Sequence, residues 1–232
     1  MKKMLLLIIA CIMSQYIFAQ ITVTIGTGTT ISGGTSVTPY KTHYQDGQDQ
    51  ILFTAAELSA AGLYAGNITK LAFHVYGTPA PITLNSFTIS MQQTALSSLT
   101  DFITSGWTQV YTGDVVAVAG WNTYTFTTPF AWNGSSNIIF KVCYHNTTST
   151  DNTQVYYTDT SPSTGVHDFN LSNTTPGCDL PSYSENFRPD VQITEDASAP
   201  IPTLSEWGLI ILGFLFLTTG TMVILRWRGT AA

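Results

Sequence analysis

The sequence predicts an all-β protein: an antiparallel β-sandwich, jelly-roll-like, with an N-terminal signal peptide before it and one C-terminal transmembrane helix after it. Three observations carry this. Apolar and polar residues alternate in several segments with a period of two, the pattern of strands that bury one face. Polar turn clusters separate those segments, with no alternating helical repeats of the kind that build a parallel sheet. Two apolar runs without charge, residues 5–12 and 208–225, stand near the ends of the 232 residues.

Residues 1–19 read as a secretory signal. Lys2 and Lys3 supply the positive start, residues 5–12 the apolar stretch, and Ile17-Phe18-Ala19 the cleavage site, so the mature chain begins at Gln20. A lipoprotein box at Ile8-Ile9-Ala10-Cys11 is the weaker reading, because apolar residues continue after Cys11 where a soluble spacer is expected.

Residues 20–195 form the ectodomain. Leu71, Phe73 and Val75 share one face of a strand within residues 68–76, with Lys70 and His74 on the other. Phe87, Ile89 and Met91 do the same within 86–92, Tyr124 and Phe126 after Trp121, and Ile138, Phe140, Val142 and Tyr144 within 138–145. Less regular strand candidates are 21–25, 50–53, 109–118, 154–158 and 191–194. Residues 54–61 predict a short helix, with Thr54 as cap and Glu57 three residues later. Between strands, Gly77-Thr78-Pro79, Gly120, Trp132-Asn133-Gly134 and Ser161-Pro162-Ser163 supply turn chemistry. A jelly roll is the preferred topology and an immunoglobulin-like sandwich the second.

Charge narrows the partners. Between residues 20 and 200, four basic residues face thirteen acids, a net of −9, which repels phosphate backbones and argues against nucleic acid. Two cysteines remain after signal removal, and in an exported domain Cys143 and Cys178 are expected to form a disulfide.

No enzyme signature stands out. His43, His74, His145 and His167 are scattered without ligand spacing, and no nucleophile elbow or phosphate loop occurs, so no cofactor is expected. Asp46 with Asp49, read as loop acids, are candidates for calcium; those two, or Asp151 with Asp159 and Asp168, are also candidates for a hydrolytic pair. Trp107, Tyr156 and Tyr157 are the candidate glycan contacts, whereas Trp121 and Trp132 are read as closing the core.

The tail carries the most specific signal. Residues 208–225, as a helix, span about 27 Å, close to the hydrocarbon thickness of a bilayer. Trp207 and Trp227 suit its interfaces, and Arg226 and Arg228 orient the C-terminus to the cytoplasm, leaving the ectodomain outside. Just before it, in the 196–207 linker, stands Ile201-Pro202-Thr203-Leu204-Ser205-Glu206-Trp207. This segment, with the span and the short basic tail at 226–232, resembles the IPTL-CTERM sorting signal of Gram-negative bacteria. Such tails are similar to PEP-CTERM signals, and the resemblance implies an exosortase-like membrane protease as partner and a span removed during sorting. Gln50 to Leu58, Gly120-Trp121, Pro129-Phe130-Ala131-Trp132 and Arg188-Pro189 together resemble β-sandwich modules of sorting-tagged surface proteins, a likeness that bears on the fold.

The expectation is therefore an exported, non-enzymatic surface or matrix-associated protein, anchored in the inner membrane and then presented at the cell surface or outside it. A glycan-binding or adhesion module that takes extracellular polysaccharide is the alternative, and a hydrolase with loop carboxylates the third reading.

Overall fold

The strands follow from the alternation. In the computed structural model, which describes residues 20–32, 38–171, 178, 183–197 and 204–229, Phe73, Ile89 and Phe140 are fully buried while Lys70 stays partly exposed. The signal peptide at 1–19 and Ile201, Pro202 and Thr203 of the sorting motif lie outside the described residues.

Ala19–Ser198 forms one compact unit. Its strands are β1 (Gln20–Ile25), β2 (Thr30–Ile31), β3 (Asp46–Phe53), β4 (Gly66–Val75), β5 (Thr83–Thr94), β6 (Thr108–Val116), β7 (Gly120–Trp132) and β8 (Asn137–His145). They continue with β9 (Tyr156–Asp159), β10 (Gly165–Asn170), β11 (Tyr183–Glu185), β12 (Phe187–Pro189) and β13 (Val191–Ala197). A four-stranded sheet runs β1-β13-β4-β7, a six-stranded sheet β11-β10-β3-β8-β5-β6, and a small sheet β12-β9-β2. Every pairing is antiparallel.

The two large sheets share one core. Val23, Leu71, Phe73, Tyr124 and Ile193 come from the first, and Ile51, Phe53, Phe87, Phe140 and Tyr144 from the second. With β2 and the inserted β9 to β12 set aside, the chain alternates between the two sheets through β1, β3, β4, β5, then β6, β7, β8 and β13, except for the β5–β6 hairpin, and its first and last strands pair. That wrapping is jelly-roll-like. Strands β10 and β11 extend the second sheet beyond β3; the weak alternation of 165–170 left them unpredicted.

The short helix forms as its cap predicts. In α1 (Ala55–Ala61), Thr54 accepts from the Glu57 N–H at 3.2 Å and Glu57 accepts from the Thr54 N–H at 3.0 Å, the reciprocal capping box. Gly62, at φ 106°, ends the helix in the left-handed region that only glycine enters without penalty.

Two expectations are corrected. Asp46 and Asp49 are not loop acids: both lie inside β3 and are almost wholly buried, Asp49 against Lys41 on the inner face and Asp46 against His145 on the outer one. Trp121 does not close the core as Trp132 does; at the start of β7 it takes the face alternate to Asn122 and Tyr124 and is only partly covered. Trp132 is 3% exposed and donates its indole N–H to the Ser136 carbonyl at 2.8 Å.

Candidate functional site

Strand register builds an aromatic stack on the outer face of the four-stranded sheet. His74 alternates with buried Phe73 and Val75, and its direct partner across β4 and β7 is Trp121. A bridge between Val75 and Val155 brings the first residue of β9, Tyr156, to its other side. The imidazole lies 4.4 Å from the indole at 11° and 4.4 Å from the Tyr156 ring at 33°. Tyr76, 39% exposed, meets Tyr156 edge-on at 5.5 Å. Away from this end the same face carries hydroxyls, carboxamides and one ammonium: Thr22 and Thr194 meet at 2.8 Å, Gln192 donates to Thr24 at 3.3 Å, and Lys70 donates to Gln20 Oε1 at 3.3 Å.

Trp121 also lines a groove of about 320 Å³. Its walls are the outermost strands of the two sheets, with Tyr111, Val115 and Val116 from β6, Val118 from the connecting turn, and Trp121 to Tyr124 from β7. Val116 and Val118 are 54% and 56% exposed. The side chain of Asn122 closes the connecting turn, accepting from the Val118 N–H at 2.8 Å and donating to the carbonyls of Val118 and Gly120 at 2.6 and 3.0 Å.

Of the predicted glycan contacts, only Tyr156 belongs to this stack. Trp107 packs on a separate small cluster around Leu52 and Ile139, donates to the Ile103 carbonyl at 3.1 Å and carries the Lys141 ammonium 5.0 Å over its ring. Tyr157, on the opposite face of β9, packs on Phe187 at 5.0 Å. Sequence reasoning assigned Trp121 to the core and missed Tyr76, although alternation had placed His74 on an outward face. The absent signal was the cross-strand register.

The predicted acid pairs are not brought together. Asp49 and Asp46, three residues apart on one strand, project to opposite faces. Asp49 enters the inner side, where Lys41 Nζ lies 3.5 Å away and 5.0 Å over the Phe169 ring, and where His167 of β10 is its cross-strand neighbour. Burial raises the Asp49 carboxyl to about 6 despite the attraction of Lys41. Burial, helped by Lys41, lowers His167 to about 3. Asp46 instead meets His145 Nδ1 on the outer side. Asp151 and Asp159 are exposed while Asp168 is buried in β10. Among the described residues no three His, Cys, Asp or Glu gather as a metal site.

Cys143, on the outer side of β8, is bonded to Cys178 with Cα atoms 5.4 Å apart.

The tail forms α2 (Leu204–Gly229), 26 residues or about 39 Å as a helix. Leu212, Phe214, Phe216 and Leu217 are exposed on it. The hydroxyls of Thr218, Thr219 and Thr221 bond back to the carbonyls of Phe214, Leu215 and Leu217, so these polar groups are satisfied within the helix. Among the described residues no helix is long and apolar enough to cross a membrane. The side chains at 209 and 222–225 are not among those described, and the unbroken apolar run is a property of the sequence.

Comparison with known proteins assigns that segment. Residues 199–229 match the IPTL-CTERM motif. The IPTL-CTERM segment thus takes in Ile201 to Trp207, the apolar run, Arg226 and Arg228. No curated protein matches the chain. Among solved structures, the cysteine protease and lectin-like domains of Cwp84, a surface layer associated protein of Clostridium difficile, superpose with a TM-score of 0.42 at 8% identity over 66% of this chain. The chain covers 32% of that protein.

Proposed function

We propose that this chain is a non-enzymatic protein exported across the inner membrane and presented at the cell surface through its IPTL-CTERM tail. The single observation that carries the reading is the IPTL-CTERM match at residues 199–229, within which the sequence holds Ile201 to Trp207, an uncharged apolar run and two arginines in that order. Residues 208–225 hold the precursor in the bilayer, and Arg226 and Arg228 stop transfer, so that residues 201–207 lie at the outer membrane-water interface. In the sequence Pro202 stands two residues ahead of α2, which begins at Leu204, and this boundary is where a membrane protease would read the motif. An exosortase-like protease is the expected partner. The non-catalytic reading of the ectodomain rests on the sequence, which lacks a recognisable nucleophile, metal or cofactor motif.

The test is the C-terminus of the mature protein in a strain that carries the cognate protease. Peptide mass spectrometry is expected to find an end between residues 200 and 207 and no peptide from the apolar run. Pro202→Ala with Thr203→Ala is expected to leave full-length precursor in the inner membrane. Recovery of intact tail peptides from the surface form would show a permanent anchor instead.

A further inference from the structure

We propose that the groove between β6 and β7, with the Trp121–His74–Tyr156 stack at its rim, is a binding site for a neutral oligosaccharide. The inference goes beyond sorting: it concerns the ectodomain alone and holds whether the tail is cleaved or kept. Three features of the groove select this ligand.

The first is a fixed aromatic wall. A pyranose presents an apolar C–H face that packs on an indole, and His74, itself wedged by Tyr156, holds the Trp121 ring in place before any ligand arrives. Val116 and Val118 supply further exposed apolar surface, and the volume of about 320 Å³ suits one or two sugar rings.

The second is charge. Neither the groove nor the stack contains a lysine, arginine, aspartate or glutamate, and residues 20–200 carry thirteen acids against four basic residues. An anionic polymer is repelled, and nothing in the groove draws a cationic one, whereas Thr123 offers a hydroxyl to a neutral sugar.

The third concerns a rival occupant, a peptide strand laid along the turn between β6 and β7. At the groove the backbone groups of Val118 and Gly120 are already bonded to the Asn122 side chain. The connecting turn therefore lacks the free ladder that strand addition needs.

The experiment is calorimetric titration of the full chain in mild detergent, and of residues 20–198 in parallel, with cellohexaose, laminarihexaose, chitohexaose, mannohexaose and, as the anionic counterpart, a hexameric oligogalacturonate. Saturable binding of at least one neutral hexamer is expected. Trp121→Ala should weaken it by about tenfold or more, while Trp107→Ala leaves it within about twofold. Val118→Asp, which alters an exposed turn residue and leaves the stack intact, should also abolish binding, and guards against a folding defect in Trp121→Ala. Silence across the neutral panel, a preference for oligogalacturonate, or binding indifferent to both groove variants would overturn the proposal. So would a dimer dispersed by Val118→Asp without sugar binding, since the groove would then seat a second copy.

Discussion

Arg188 offers the sharpest quantitative test of how the sandwich is held together. It is 3% exposed, yet its guanidinium is satisfied from three directions. Nη1 donates to the Leu52 carbonyl at 2.7 Å and to Glu57 Oε2 at 3.3 Å, Nη2 contacts Glu57 Oε1, and the group lies 4.1 Å over the Phe53 ring. One side chain thus joins β12, β3 and α1. Arg188→Met keeps the apolar stem but leaves the Leu52 carbonyl without its donor, for about 1–3 kcal/mol, and removes a cation–π contact worth about 1 kcal/mol. Glu57 is 38% exposed and regains water, so a total near 3 kcal/mol is expected. Glu57→Gln keeps the capping hydrogen bond but strands a buried guanidinium without its anion, at about 3 kcal/mol. Because both changes remove the same pair, the double variant should lose less than the sum, with a coupling of about 1–2 kcal/mol. Burial opposes ionisation of Glu57, but hydrogen bonds from Arg188 and Thr54 outweigh it and lower its pKa. The coupling is therefore complete above the ordinary glutamate pKa and lost as pH falls through the lowered value. Urea unfolding followed by tryptophan fluorescence measures all four corners. A coupling below about 0.5 kcal/mol at pH 7 would refute the clamp.

Other expectations follow from burial. His167 is neutral when folded, so unfolding takes up a proton between about pH 6.5 and 3; wild-type stability relative to His167→Gln should be constant above that window and fall by up to about 1.4 kcal/mol per pH unit within it. Asp49 has the opposite sign: its raised pKa adds stability below the ordinary aspartate value and loses it as pH rises through about 6, so Asp49→Asn should steepen the acid loss, and an unchanged slope would discount the assignment. Loss of the Cys143–Cys178 bond closing a 35-residue separation should cost about 3–4 kcal/mol in chemical denaturation, and two alkylatable thiols in unreduced protein would deny the bond. Phe73→Asp or Phe140→Asp should leave no cooperative thermal transition, while Lys70→Asp melts close to wild type; equal midpoints would contradict the assignment of faces.

Where one physical rule acted locally, sequence and structure agree. Period-two alternation located β4, β5, β7 and β8, because each turns an apolar face to the shared core, although β8 buries Ile139 and Cys143 on its other face as well. The Thr54–Glu57 spacing announced the helix cap. The rule failed at β3, where Asp46, Gln48 and Asp49 read as a polar loop. The two acids are buried by what packs over each face, Lys41 against Asp49 and His145 against Asp46, and no periodicity marks either pairing. Polar burial of this kind is a property of the partners, which a single strand does not announce.

By itself the sequence determined the all-β class, the faces of the regular strands, the pairing of the two cysteines and the sorting tail, since each depends on residues close in the chain or on elimination. Only the tertiary structure decided which aromatics meet. Tyr156 lies 82 positions from His74, and Trp121 lies between them in the chain, yet register and one bridge set all three rings side by side. Sheet order is set by which faces pack best across the whole domain, and that long-range choice turned a tryptophan expected in the core into the wall of an open groove.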